Sequence, residues 1–328
     1  MKNKKRILQI GFHVTFLVIV IAVILIIVSK FTNFMKGTVL DPNDMTSNKT
    51  GAETQPLDYI LPLIVEEEYL PADDGETTIV CFGNNPFSDD RNSDTNLCNM
   101  IEEMTGATVY NCSIPGSYLS AYNDHFIADS EPMDAFSFYW LATTFCMDNF
   151  QMFDKALENM QEVPDDIVES TKLLRSIDFS KVDVITLMFD GSDYLAGRPM
   201  YNDEYFSDSQ QFTGSMAAGI ELIQYYYPHI RIIVMSPTYA YGLEEDGSYA
   251  SSYIKTYGQS YLSTYVVKQA EAAYLLGVSF VDNLYGTIYE GIAPDYLEDH
   301  LHLNEDGRKL VAERFVEALN MYPEPIAQ

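Results

Sequence analysis

Five short apolar runs that alternate with longer helical patterns constrain the fold of this chain more than any other feature. The runs lie at residues 77–82, 108–112, 182–189, 230–235 and 278–281. The helical stretches lie at residues 133–160, 210–227, 254–276 and 304–320. Continuous apolar strands that alternate with helices are typical of a parallel sheet covered on both faces. The pattern therefore predicts a three-layer α/β/α domain with a mainly parallel, five-stranded sheet.

A run of 22 residues without a formal charge, at positions 7–28, precedes these strands. As a helix it would extend about 33 Å, enough to cross a hydrocarbon core about 30 Å thick. Because the run is long and residues 29–31 make a poor cleavage site, we expect an uncleaved anchor rather than a signal peptide. Four basic residues precede the run and two follow it, which predicts a cytoplasmic N-terminus.

The predicted organisation therefore has four parts. Residues 1–6 form a cytoplasmic tail, residues 7–28 a single transmembrane helix, residues 29–57 a flexible tether and residues 58–328 one extracytoplasmic domain. The tether is polar and lacks periodicity, as flexible linkers do. The predicted localisation is the cell membrane, with the domain outside the cell.

The acidity of the domain argues against nucleic-acid partners. Residues 1–36 carry six basic and no acidic side chains, so the remaining chain holds 13 basic against 48 acidic residues, a net charge of −35. Such a surface repels polyanions at long range. The four cysteines have spacings of 17, 14 and 34 residues, which match no zinc or redox motif. We expect buried thiols, with one disulfide as the alternative.

Small or polar residues follow the predicted strands. In a parallel sheet the carboxyl ends of the strands meet at one edge, where functional groups gather. The segments are Gly83-Asn84-Asn85, residues 113–117 with Gly116, Asp190-Gly191-Ser192-Asp193, and Asp299-His300-Leu301-His302-Leu303-Asn304. We expect Gly83, Gly116, Asp193 and His302 to converge at this edge.

In order and spacing, these segments resemble the SGNH/GDSL hydrolase superfamily. The C-terminal segment meets the family pattern Asp-x-x-His-Leu-Asn-x-x-Gly at every position, from Asp299 to Gly307. The resemblance implies that His302 is the catalytic base and Asp299 its orienter, since a carboxylate fixes the tautomer of a histidine and favours its charged form. It also implies an oxyanion-binding backbone N–H at Gly116.

The other segments depart from the family pattern. The nucleophilic serine follows Gly-Asp in the family, but the aligned triplet ends in Asn85, which therefore stands at the nucleophile position. An amide cannot be the nucleophile of acyl transfer. The family pattern Gly-x-Asn-Asp aligns with Asp190-Gly191-Ser192-Asp193, so Asp190 stands in place of the glycine. Ser192 stands in place of the oxyanion-binding asparagine and can donate one hydrogen bond. Ser88 is the nearest hydroxyl that could substitute as the nucleophile.

Three further features have alternative interpretations. An oxygen- and nitrogen-rich cluster comprises Asp295, Glu298, Asp299, His300 and His302. It could bind a divalent metal, but the match to Asp-x-x-His favours a base with its orienter, so we predict no metal and no cofactor. The tyrosines of residues 225–265 either pack with hydrogen-bonded tips or form a sugar-stacking surface. The aromatic segment 136–153 either caps the cleft or packs in the core.

Two functions are compatible with these residues. The pair Asp299 and His302 favours an active ester hydrolase or acyltransferase that acts on O-acyl groups of cell-envelope carbohydrate. Asn85 favours a catalytically degenerate or weakly active protein whose cleft binds an envelope glycan or a membrane partner. We expect the second, because loss of a nucleophile costs several orders of magnitude in rate.

Overall fold

The computed structural model describes residues 56–70, 75–321, 323 and 325–327. The predicted cytoplasmic tail, the predicted membrane span and nearly all of the predicted tether lie outside these residues. Within the described ranges, no helix is long and apolar enough to cross a membrane.

The secondary structure is numbered in chain order. The strands are β1 (Ile64–Val65), β2 (Thr78–Gly83), β3 (Thr108–Asn111), β4 (Val184–Met188), β5 (Arg231–Met235), β6 (Gly242–Leu243), β7 (Tyr249–Ala250), β8 (Ser279–Val281) and β9 (Ile326–Ala327). The α-helices are α1 (Asn85–Ser88), α2 (Leu97–Thr105), α3 (Phe138–Cys146), α4 (Gln151–Asn159), α5 (Asp165–Leu174), α6 (Ser192–Leu195), α7 (Phe212–Tyr226), α8 (Leu262–Leu275), α9 (Asn283–Gly286), α10 (Ala293–Tyr296) and α11 (Glu305–Asn320). Short 3-10 helices lie at Glu67–Tyr69, Pro132–Phe136 and Phe179–Lys181.

The predicted five-stranded parallel sheet is confirmed. Its strands lie side by side in the order β3-β2-β4-β5-β8, and every pairing is parallel. Along the chain these are the second, first, third, fourth and fifth strands of the sheet. This is the flavodoxin-like doubly wound order, in which the chain direction reverses between the first and third strands. The reversal therefore lies between β2 and β4.

Two helical stretches differ from the sequence prediction. The stretch predicted at 133–160 divides into a 3-10 helix, α3 and α4, because Asp148 adopts a left-handed conformation with φ of 49° after α3. The stretch predicted at 254–276 becomes helical only from Leu262, where α8 begins. Helix α5 was not predicted from the sequence.

The aromatic segment 136–153 packs in the core rather than over the cleft. Phe136, Phe138 and Phe153 are fully buried. The ring of Phe138 lies against α7 where Gly219 has no side chain, and a Cβ there would come within 2.5 Å of the ring. A glycine is thus needed at the contact between α3 and α7.

All four cysteines are buried and free, in agreement with the thiol prediction.

We predict that Phe138→Ala lowers the free energy of unfolding by about 3–5 kcal/mol, because the loss of a buried ring leaves a cavity in a close-packed core. Urea unfolding followed by circular dichroism measures the change. The control is Tyr225→Ala, since Tyr225 is 79% exposed and should change stability by at most about 0.5 kcal/mol. Equal effects of the two substitutions would contradict the assignment of the segment to the core.

Candidate active site at the carboxyl edge of the sheet

The site is built where β2 and β4 end, at the point where the chain direction reverses. Gly83 closes β2 beside Met188 of β4, and a Cβ on Gly83 would lie 1.9 Å from the carbonyl oxygen of Met188. Glycine is therefore required for the two strand ends to approach this closely. Ligands of open α/β sheets bind in the crevice at such a point. The loops after both strands carry predicted site residues.

Asn85 begins α1 directly after β2, and both ends of its amide are engaged. The Nδ2 group donates to the Oδ2 atom of Asp190 at 2.7 Å. The backbone N–H of Gly116 donates to the Asn85 Oδ1 atom at 3.0 Å. The predicted nucleophile position and the predicted oxyanion donor are thus in direct contact.

Asp190 follows β4 and accepts several of the hydrogen bonds around this contact. Its Oδ1 atom accepts from Asn84 Nδ2 at 2.8 Å and from the backbone N–H of Ser192 at 2.9 Å. Its own backbone N–H donates back to Asn84 Oδ1 at 2.9 Å. The carboxylate is only 3% exposed, so a buried charge is held by amides and one backbone N–H. Three donors are what such burial requires.

His302 and Asp299 form the predicted pair. The ring Nδ1 of His302 lies 2.8 Å from Asp299 Oδ2. The Oδ1 atom of Asp299 accepts the backbone N–H groups of Leu301 at 2.7 Å and His302 at 2.8 Å. Partial burial opposes ionisation of Asp299, but these hydrogen bonds hold its pKa below the usual value. The carboxylate therefore stays charged and fixes the imidazole ring.

Additional carboxylates act on His302. Burial alone would lower the pKa of His302, but the hydrogen bond that its ring donates to Asp299 and the charges of Asp89, Asp299 and Asp190 raise it. Asp89 caps the C-terminal end of α1. Burial, together with the charge of Asp190, raises the pKa of Asp89 to about 6, although His302 and Arg308 favour its ionised form. The imidazole is thus hydrogen-bonded to one carboxylate and lies within electrostatic range of two others.

Comparison with solved structures finds chains similar to this one. One solved structure superimposes on 75% of this chain and 96% of its own, with a TM-score of 0.53 and 19% sequence identity. A possible lipase from Chitinophaga pinensis (TM-score 0.48, 12% identity) also covers 75% of this chain, and 98% of that one. A carbohydrate acetylesterase from Sinorhizobium meliloti (TM-score 0.43, 10% identity) covers 75% and 99%. No family model and no curated protein sequence matches the chain.

The sheet order and the motif positions agree with the resemblance found in the sequence. The chain has an SGNH/GDSL-hydrolase-like fold. The low identities make this a statement about the fold, and the chemistry of this SGNH-like domain depends on the residues at its own cleft.

The two predicted oxyanion donors, Gly116 and Ser192, have different surroundings. Gly116 is exposed and has a φ of 69°, a conformation that glycine adopts without strain. Its N–H points at Asn85, as described. Ser192 begins α6, and its backbone N–H binds Asp190. Asp193 is buried and binds the backbone N–H groups of Leu119 and Ser120, which fixes the loop after Gly116 against the end of β4.

Ser88 is not aligned with the base. Its side chain is 3% exposed, and its hydroxyl has no hydrogen-bond partner among the described residues, His302 included. Four residues were predicted to converge at the carboxyl edge. Gly83, Gly116 and Asp193 lie on the contacting loops described above, and His302 lies within electrostatic range of Asp190. No hydrogen bond of the described residues supports Ser88 as a substitute nucleophile.

Two further alternatives from the sequence are a divalent metal site and a sugar-stacking surface of tyrosines. In the part of the chain that the structure describes, no three His, Cys, Asp or Glu side chains are grouped as metal ligands. Among the tyrosines, Tyr239 and Tyr265 are fully buried. Tyr249 of β7 is 53% exposed and stacks on Tyr241, with its ring 6.2 Å from that of His300. The packing interpretation thus holds for the buried tyrosines, whereas the sugar-stacking surface stays a prediction, for which Tyr249 offers an exposed ring.

Three polar residues of the cleft were missed at the sequence level: Asn84, Asp89 and Asp190. The signal for Asp190 was present, because a carboxylate directly after a buried strand of a parallel sheet lies at the functional edge. Asp89 gave no such signal, since its position opposite His302 depends on how α1 ends.

We predict that Asp299→Asn lowers the pKa of His302, because the hydrogen bond and the charge that favour the imidazolium are both lost. NMR titration of the histidine ring protons measures the pKa. In the wild type the pKa of His302 is higher folded than unfolded, so its charged pair stabilises the fold below the ordinary histidine pKa. That contribution is lost as the pH rises through the raised pKa.

The control for this titration is Asp124→Asn, which removes the carboxylate beside the exposed His125. It should leave the titration of His302 unchanged. An unchanged His302 pKa in Asp299→Asn would mean that the pair does not exist in solution.

Proposed function

We propose that this chain is a membrane-anchored, extracytoplasmic SGNH-like protein whose cleft binds a cell-envelope ligand and is catalytically degenerate or only weakly active. One observation carries the proposal. The amide of Asn85 stands at the nucleophile position and already occupies the N–H of Gly116. The position that should carry a hydroxyl and the donor that should bind an oxyanion are thus bonded to each other.

Three physical effects oppose ester hydrolysis here. An amide nitrogen has no available lone pair for attack on an acyl carbon, so Asn85 supplies no nucleophile. The Gly116 N–H cannot bind a developing oxyanion while it donates to Asn85. The buried carboxylate of Asp190, bonded to Asn85, adds negative charge near the place where an oxyanion would form, which raises the energy of that intermediate.

Binding fits the remaining groups better. His302, Asp89 and Asp299 are partly exposed polar groups at one edge, and the half-exposed ring of Tyr249 lies next to His300. Carboxylates accept hydrogen bonds from hydroxyls, and an aromatic face covers the apolar face of a ring. We therefore propose a cell-envelope carbohydrate, or an acylated polymer built from it, as the ligand. A membrane protein partner is the other candidate.

An active ester hydrolase or acyltransferase for O-acyl groups of envelope carbohydrate is the second candidate function. The intact hydrogen bond between His302 and Asp299 favours it, since a degenerate cleft has no need of an oriented base. This function requires a hydroxyl other than residue 85 as nucleophile, and Ser88 is the nearest in sequence.

We predict that the wild type hydrolyses p-nitrophenyl acetate no faster than His302→Ala. Asn85→Ser should show a small rate that depends on His302, because it restores a hydroxyl and frees the Gly116 N–H. The rate should be low, since a deficient oxyanion donor costs about 10²–10³ in kcat. Replacing Asp190 as well, in Asn85→Ser/Asp190→Gly, should raise the rate further because the opposing charge is removed.

Labelling with a serine-reactive fluorophosphonate is the matched readout. The wild type should remain unlabelled, and Asn85→Ser should be labelled at residue 85. Robust wild-type turnover that His302→Ala abolishes, with a label on Ser88 or another hydroxyl, would overturn the degenerate assignment and establish the second candidate function.

We predict that protease treatment of intact, wall-stripped cells removes the domain from the cell surface, because the apolar run at residues 7–28 and its basic flanks place residues 1–6 inside. Immunoblotting with tags at each end of the full chain measures the outcome. A domain fully protected in intact cells and cleaved only after lysis would reverse the topology.

A further inference from the structure

Arg198 is a cation near the predicted oxyanion positions that the proposed function does not use. It follows α6, whose first residue Ser192 stands at the predicted oxyanion position. Its guanidinium carbon lies 4.4 Å from the ring centre of Tyr118 and 4.8 Å from that of Tyr122. Both tyrosines belong to the loop that follows Gly116. Arg198 is therefore held between the two loops that carry the oxyanion positions.

The backbone that carries Arg198 is fixed. The Arg198 N–H donates to the carbonyl of Asp193 at 2.9 Å, and the Arg198 carbonyl accepts from the hydroxyl of Tyr265. The preceding Gly197 has a φ of 64°, and a Cβ there would lie 2.0 Å from the Tyr257 carbonyl oxygen. Two aromatic rings and a locked backbone thus leave the guanidinium little freedom, so binding a ligand would cost little further ordering.

The N–H groups of this guanidinium have no protein acceptor. Across the described ranges, no hydrogen bond or ion pair joins the Arg198 side chain to another residue. The two buried carboxylates on which the charge of Arg198 acts are hydrogen-bonded to backbone groups instead. Asp193 binds the backbone N–H groups of Leu119 and Ser120, and Asp134 binds those of Tyr122 and Asn123. The charge of Arg198 favours the ionised forms of both carboxylates, but neither carboxylate forms a direct ion pair with it among the described residues.

Arg175 shows the contrast. Its guanidinium also lies over an aromatic ring, 4.6 Å from the centre of Phe150, but it pairs with the carboxylate of Asp154. A guanidinium that is already paired with a carboxylate has fewer N–H donors free to bind a ligand. The guanidinium of Arg198 has two parallel N–H donors, which match two oxygens of a carboxylate or phosphate.

We propose that Arg198, braced by Tyr118 and Tyr122, binds an anionic group of the ligand, a phosphate or a carboxylate, beside the oxyanion loops. The rest of the acidic domain repels anions, so this subsite would admit a negative charge at one place only. The ligand would then carry an acidic group that lies beside the loops of Gly116 and Ser192. This inference adds a ligand class to the proposed function but does not depend on the state of Asn85.

The test is a titration of the full chain, in detergent and labelled with ¹⁵N-arginine, followed through the Nε–Hε resonances. Inorganic phosphate and acetate are added in separate arms, each against sodium chloride at the same ionic strength. We expect the Arg198 resonance to shift with phosphate, with acetate or with both, and the Arg175 resonance to stay in place. A response to phosphate alone assigns a phosphate ester, and a response to acetate alone assigns a carboxylate.

Two variants complete the test. Arg198→Gln should weaken binding of the effective anion about tenfold or more, since a charge-assisted contact is lost, whereas Arg175→Gln should leave it unchanged. If Arg198→Gln does not fold, the wild-type resonances decide alone. An Arg198 resonance that moves with neither anion, or no more than that of Arg175, overturns the proposal. That failure would leave the assignment of Asn85 intact, because Asn85→Ser tests it separately.

Discussion

The buried carboxylate of Asp190 is the interaction on which the rest of the cleft depends. A charge removed from water is stable only if hydrogen-bond donors replace the lost solvent. Here Asn84 and Asn85 from the end of β2 and the N–H of Ser192 from α6 supply them. These bonds tie together the two strands between which the chain direction reverses. They also orient the Asn85 amide so that its oxygen meets the Gly116 N–H.

The charges around His302 support the proposal that this cleft binds a ligand rather than hydrolyses one. A general base must begin the reaction as the neutral imidazole. Asp299 alone would orient the ring, but Asp89 and Asp190 add charge that raises the pKa of His302 further. At any given pH less neutral imidazole is then available. The same crowding, with burial, raises the pKa of Asp89 to about 6, so the cleft favours a charged imidazolium among carboxylates.

The sequence predicts the sheet and the pair Asp299–His302 because both depend on local patterns. Buried strands appear as continuous apolar runs, and a histidine three residues after its carboxylate can share one loop with it. The contact between Asn85 and Asp190 could not be predicted in this way, since it joins residues 105 positions apart. The end of α3 was missed because Asp148 adopts a left-handed conformation that its residue type permits but does not require.

Asn85 and Asp190 depart from the family pattern together, and they contact each other. The family pattern places serine at the first position and glycine at the second, where neither side chain could form this bond. Loss of the serine alone would leave a cleft with an empty oxyanion site. The carboxylate of Asp190 instead binds the amide that replaces the serine, and the amide oxygen takes the Gly116 N–H. The effects of substituting residues bonded in this way are non-additive. The effect of changing either residue therefore depends on the other. The hydrogen bonds of Asn85, Asp190 and Gly116 therefore form one polar network that includes both positions at which the sequence departs from the family pattern.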